Sequence, residues 1–143
     1  ETPLEFDPET LGTTLKEALP EVEFCYLLGS AAEGVIKPHS DLDLAVYLHS
    51  KGAAPAPSAD VDKYEVYHRA MEAVREVVGE VRCDLGFLNR AEPVYRFEAL
   101  KGRLLFYRDR EQWLRFYSVT CREYEHQIFR YEQQRRYRLE ATG

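Results

Sequence analysis

A chain of 143 residues, 45% of them hydrophobic, suits one compact domain with a genuine core rather than several domains. Its formal net charge of −6 argues against a non-specific duplex-DNA binder, which needs a broad basic face. No run approaches the ~18 apolar residues of a membrane helix, and the acidic first residues lack a basic then apolar leader, so a cytosolic, cytoplasmic protein without membrane contact is expected.

In chain order, Pro8–Leu19 places Leu11, Leu15 and Leu19 four residues apart ahead of Pro20, which predicts a short amphipathic helix. Val22–Leu28 (VEFCYLL) is β-branched, aromatic and apolar between Pro20 and Gly29, the pattern of a buried strand. Leu42–Leu48 (LDLAVYL) reads as a second strand. Ser50–Asp60 (SKGAAPAPSAD) is small, polar and rich in proline, a flexible connection more than a domain boundary. Val61–Gly79 carries Val66, Ala70, Ala73, Val74 and Val77 at helical spacing and stops at a glycine suited to a C-cap. A strand over Glu80–Leu88, a helix from near Pro93 to Gly102 and the short apolar Leu104–Tyr107 follow.

Asp109 then caps a long final helix along which Trp113, Phe116, Tyr117, Thr120, Tyr124, Ile128 and Tyr131 recur at three- and four-residue steps. From Asp109 to Leu139 it would run about 45 Å at ~1.5 Å per residue, longer than a core of this size needs. Trp113 to Thr120 reads as packing on the domain, and past Tyr124 the helix is expected to outrun the body. Its end, Arg130–Leu139 (RYEQQRRYRL), sets four arginines against Glu132. A solvated end whose cations complement the helix dipole and a contact surface for an acidic partner or nucleotide both fit that composition. Cys25, Cys83 and Cys121 are odd in number, far apart and in apolar surroundings, as buried reduced thiols are. His49, His68 and His126 are scattered without ligand spacing.

The stretch that departs from ordinary strand chemistry is Tyr26–Leu48, YLLGSAAEGVIKPHSDLDLAVYL. Residues two apart in a strand share a face. Asp41, Asp43, Ala45 and Tyr47 therefore point one way, while Leu42, Leu44, Val46 and Leu48 point into the core. The same alternation groups Arg82, Asp84, Gly86 and Leu88. If the two strands are neighbours, Asp41, Asp43 and Asp84 converge on an open face. Three uncompensated carboxylates raise one another's pKa, and a divalent cation relieves them. Oxygen ligands without His or Cys suit Mg2+ or Mn2+ rather than zinc. Mg2+ held this way completes its shell with water and substrate phosphates, which makes a nucleotide the natural substrate. Gly29, directly after a buried strand, lets the backbone approach a ligand, and Ser30 would cradle a phosphate oxygen where a short helix begins at Ala31. Gly-Ser alone is a weak signal, but Gly-Ser, ten residues, Asp-x-Asp and a further Asp one strand later is a strong one.

Gly29, Ser30, Ala32, Gly34, Ser40, Asp41, Asp43, Leu44 and Asp84 together resemble the motif of the minimal nucleotidyltransferases of the DNA polymerase β superfamily: Gly-Ser-x-Ala-Arg-Gly, a linker, Ser-Asp-x-Asp-Leu and a third Asp. The stretch Asp84–Asp109, DLGFLNRAEPVYRFEALKGRLLFYRD, is similar to the MntA-type adenylyltransferase antitoxins of HEPN/MNT pairs, so the resemblance covers nearly the whole chain. The expected fold is α/β, a small mixed β-sheet with helices mainly on one face and a long C-terminal helix. The resemblance implies a nucleotidyltransferase domain over 1–108 and a partner-binding helical extension over 109–143 in the same compact unit. It further implies transfer of AMP from ATP to a tyrosine hydroxyl of a cognate HEPN-domain RNase toxin, which silences the toxin. Asp41, Asp43 and Asp84 would be catalytic and hold a pair of Mg2+ ions, with Asp84 also assisting deprotonation of the attacking hydroxyl. Gly29, Ser30 and Ser40 would bind the nucleotide.

One position departs from the pattern: Glu33 stands where the family carries arginine. Either Lys37, His39 or a partner residue then supplies the cation for the triphosphate, or turnover is weak. A small hydroxyl acceptor such as an aminoglycoside is also used in the superfamily, but 143 residues leave little chain for a dedicated acceptor domain. A non-catalytic antitoxin that occludes its toxin through the C-terminal helix is the reading from a different class.

Overall fold

The computed structural model describes residues 2–49 and 61–142, so the expected Ser50–Asp60 connection lies outside the described residues. A two-residue strand, β1 (Leu4–Glu5), precedes helix α1 (Pro8–Ala18). Asp7 starts that helix: its carboxylate accepts from the Glu9 N–H at 3.1 Å and from the Thr10 hydroxyl at 2.8 Å. Pro8 fills a first-turn position whose N–H would have no helical partner. Strand β2 (Val22–Leu28) leads into a five-residue 3₁₀ helix (Gly29–Glu33), then β3 (Val35–Ile36), which pairs with β1, and β4 (Leu42–Leu48). Helix α2 (Lys63–Val77) begins where Asp62 accepts from two backbone N–H groups. Strand β5 (Cys83–Phe87), helix α3 (Pro93–Leu100), strand β6 (Arg103–Tyr107) and helix α4 (Arg110–Thr142) complete the order.

Four strands form one mixed sheet in the order β5-β4-β2-β6. β4 and β5 run parallel and the other pairs antiparallel, the parallel pair being connected through α2. The central pair, β2 and β4, is buried on both sides, which is why both read as near-continuous apolar runs. On one face, Leu11, Leu15 and Leu19 of the α1 segment and Val66, Ala70 and Val74 of α2 pack on Cys25, Leu27, Leu44 and Val46. The other face carries Phe24, Tyr26 and Ala45, which Ala99 of α3 and Phe116 of α4 cover. Phe24, Tyr47 and Phe116 form a mutual ring cluster, with Phe24 4.8 and 5.0 Å from the other two centroids and those two 5.5 Å apart. The small mixed sheet and long C-terminal helix match the sequence reading. The second face, read there as open, is covered along most of its length because Phe24 and Tyr26 also need burial, and it opens to solvent at its Asp84 end.

Asn89 closes the end of β4. Its side-chain oxygen accepts from the Leu48 N–H at 2.8 Å, and its amide donates to the Leu48 carbonyl at 3.0 Å, with 3% of the residue exposed. Asn89→Ala leaves two buried backbone groups without partners, so a loss of about 2–4 kcal/mol is expected. Urea denaturation should show it as a lower midpoint at unchanged slope.

Helix α4 starts on the body and leaves it. Asp109 accepts from the Glu111 N–H at 2.9 Å, the Trp113 indole donates to the Tyr26 hydroxyl at 2.6 Å, and Tyr124 stacks on Phe97 with centroids 3.8 Å apart. From Ile128 to Glu140 every residue is exposed, including Phe129, Tyr131, Tyr137 and Leu139. No helix among the described residues is long and apolar enough to cross a membrane.

Candidate active site

Three strand ends meet at one level of the sheet. Leu28 pairs with Asp43 across the antiparallel ladder, and Asp43 pairs with Asp84 across the parallel one. Gly29 follows Leu28 with φ +70, a left-handed conformation that suits glycine, and a Cβ built there would lie 3.9 Å from Asp43 Oδ2. The backbone therefore turns directly beside the carboxylate, with Ser30 exposed at the next position. Asp41 lies one residue before β4, and the Arg82 Nε stands 3.9 Å from its Oδ1. That pair is largely exposed and contributes at most about 1 kcal/mol.

The carboxylates sense one another. Burial raises the pKa of Asp43 above the usual carboxylate value, and the negative charges of Asp84 and Asp41 raise it further. Burial likewise pushes the Cys83 thiol up to about 12, with the three aspartates adding to the effect, so the thiol stays protonated and inert. As placed, the carboxylates do not close into a cage: among the described residues no group of three His, Cys, Asp or Glu side chains is poised to hold a metal ion. The donor set nonetheless fits Mg2+. It consists of hard oxygens without His or Cys, borne by adjacent strands, and its internal repulsion is what a divalent cation relieves.

Ser40 is brought to Asp41 rather than to the Asp43–Asp84 pair. Its N–H donates to the Lys37 carbonyl at 3.0 Å, and it opens with Lys37, His39, Asp41 and Arg82 onto a cleft of about 660 Å³. That cleft adjoins the carboxylates, but Asp43 and Asp84 do not line it.

Sequence reading missed Tyr95. This α3 residue lays its phenol over β5, where a Cβ added to Gly86 would overlap the hydroxyl oxygen and come within 2.9 Å of Cζ. Gly86 pairs with Ala45, so two small residues in register form the notch. Burial raises the Tyr95 pKa and the Asp43 charge raises it further, which keeps the hydroxyl protonated beside the carboxylates. The available signal was an isolated glycine inside the strand CDLGF, a mark of close approach. Gly86→Ala is expected to expel the phenol and lose about 1–3 kcal/mol, and to lose far less in a Tyr95→Ala background. Thermal denaturation of the four proteins in that cycle measures the coupling.

A family model described as polymerase beta, nucleotidyltransferase, matches residues 9–111. The chain belongs to the polymerase beta nucleotidyltransferase family. The match takes in all three aspartates and the Gly29–Glu33 turn and ends as α4 begins. Solved structures share the fold of this nucleotidyltransferase. A structure of a toxin-antitoxin with AMP-PNP aligns with TM-score 0.62 at 22% identity, covering 90% of this chain and 93% of that one. A structure of the toxin-antitoxin MntA-HepT aligns with TM-score 0.57 at 20% identity over 89% and 90%. A tri-AMPylated Shewanella oneidensis HEPN toxin in complex with MNT antitoxin gives TM-score 0.57 at 20% identity over 89% of each chain. No curated protein matches by sequence.

Proposed function

We propose that this nucleotidyltransferase transfers AMP from ATP to a tyrosine hydroxyl of a HEPN-domain RNase toxin and thereby neutralises it. The observation that carries the reading is the placement of Gly29, Asp43 and Asp84 side by side on three adjacent strand ends. Support for the acceptor comes from the similar solved structures, which are toxin-antitoxin complexes, one with AMP-PNP and one with an AMPylated HEPN toxin. Residues 1–108 would carry the chemistry and residues 109–143 would bind the partner.

The backbone N–H groups at Gly29 and Ser30 would hold phosphate oxygens, with Ser40 contributing from the Asp41 side. Asp41, Asp43 and Asp84 would hold Mg2+, which when bound neutralises charge on the phosphates and acidifies the attacking hydroxyl. Asp84, more exposed than Asp43, accepts the proton of the incoming tyrosine hydroxyl. The tyrosine oxygen then bonds to the α-phosphorus as the opposite bond to the pyrophosphate oxygen breaks in line.

Label transfer tests this. The purified chain, its HEPN partner and Mg2+ are incubated with ATP labelled at either the α or the γ phosphate. Label on the partner from the α position only, absent with Asp43→Asn, supports adenylyl transfer, whereas label from the γ position only would mean a kinase. A second reading, neutralisation by binding alone, draws on the exposed aromatic end of α4, and a tight unlabelled complex would favour it.

A further inference from the structure

Resting on the nucleotide reading above, we propose that Arg103 is a phosphate-binding residue that holds the triphosphate of ATP against the Gly29–Glu33 turn. Arg103 opens β6 and pairs with Leu27, while the next residue of β2, Leu28, pairs with Asp43 on the opposite side. The strand end that enters the turn thus has Asp43 on one neighbouring strand and Arg103 on the other. By alternation Arg103 starts on the Leu27 face of the sheet and the carboxylates on the Leu28 face, so it is the length of the arginine side chain, carried past the strand end, that brings its charge to the turn. The guanidinium reaches the turn itself: Arg103 Nη1 donates to the Ala32 carbonyl at 3.4 Å.

The backbone beneath it is fixed. A Cβ added to Gly102 would lie 2.6 Å from the Leu27 carbonyl oxygen and 2.9 Å from Leu28 Cδ2, so the turn between α3 and β6 is pressed onto the last residues of β2. The Gly102 N–H is itself bonded to the Ala99 carbonyl at 3.0 Å. Arg103 therefore has a defined origin, unlike a cation on a loose loop.

Charge decides what it is for. Glu33, Asp41, Asp43 and Asp84 make this end of the sheet strongly negative, and a triphosphate adds more of the same sign. The neighbouring cations are engaged: Lys101 pairs with Glu98, and Arg82 faces Asp41. Among the described residues, Arg103 pairs with a backbone carbonyl and with no carboxylate. One long hydrogen bond leaves most of its five N–H donors for a ligand, and the planar fork matches two phosphate oxygens. Lys37 and His39, the cations that sequence reading offered for this task, line the cleft beside Asp41 instead.

The test is calorimetric titration of the full chain with AMP-PNP plus Mg2+ and, separately, with AMP, for wild type, Arg103→Met and Arg103→Lys. Loss of a charge-assisted contact predicts about 10- to 100-fold weaker AMP-PNP binding for the methionine variant, with partial recovery for lysine. AMP, which lacks the β and γ phosphates, should change less than about threefold, a split that general damage to the fold would not give. Equal AMP-PNP affinity in wild type and Arg103→Met overturns the assignment and leaves the nucleotide reading standing. Equal losses for AMP and AMP-PNP overturn it as well, since they mark a structural role. Failure of the wild type to bind AMP-PNP overturns both.

Discussion

Replacing Asp43 with asparagine is expected to abolish AMP transfer and to raise thermal stability at neutral pH. The two effects share one origin. Asp43 sits between Gly29 and Asp84 with its carboxyl partly desolvated and repelled by two like charges. Its folded pKa is raised above the unfolded value of about 3.9, so between those two values the native state binds more protons than the unfolded chain. Stability therefore falls as pH rises through that window, and the penalty is complete above the folded pKa. Asparagine carries no charge and escapes the penalty, so its advantage in melting temperature should be present at pH 7 and vanish below about pH 4. Solvent screening at this partly exposed group keeps the gain modest. Activity moves the other way, because a carboxylate that would help to neutralise the reacting phosphates is gone, and a loss on the order of 10³-fold is expected. Mg2+ should raise the melting temperature of the wild type more than that of the variant. An Asp43→Asn protein that labels its partner normally would sink the catalytic assignment, and one that melts earlier at pH 7 would sink the electrostatic account.

Much of this site is legible in the sequence because its parts are local. Gly29-Ser30 after an apolar strand and Asp-x-Asp entering another each report a backbone event within a few residues. What alternation could not decide was whether the strands bearing Asp43 and Asp84 are neighbours. The structure settles that, with α2 carrying the chain from β4 to a parallel β5 and bringing the two aspartates into direct register. Tyr95 and Arg103 were hard to read for the complementary reason. Each comes from an element far along the chain, α3 over Gly86 and β6 beside Leu27, and although the isolated Gly86 marks a close approach, no local pattern names the residue that makes it. Asn89 belongs with them, since its partners at Leu48 are 41 residues away in sequence.

Ending the chain after Gln127 is expected to leave the fold and nucleotide binding intact and to remove capture of the HEPN partner. Every removed residue from Ile128 to Glu140 is exposed, so that stretch buries little surface in this chain. A helical end that packs little against the body contributes little to stability, since most helix stability in proteins comes from packing one face. The urea midpoint and AMP-PNP affinity should therefore match those of the full chain. Yet the segment carries Phe129, Tyr131, Tyr137 and Leu139 among arginines, side chains that concentrate binding energy when a partner desolvates them. Losing several such anchors should weaken the complex by about 100-fold or more. Label transfer separates the two ways in which neutralisation could then fail. If α4 only delivers the acceptor, a large excess of toxin restores labelling by the truncated chain, because the site from Gly29 to Asp84 is untouched. If the truncated chain instead captures the toxin with full affinity, residues 128–143 do not bind the partner and the contact must lie on what remains, the body of the domain or α4 up to Gln127.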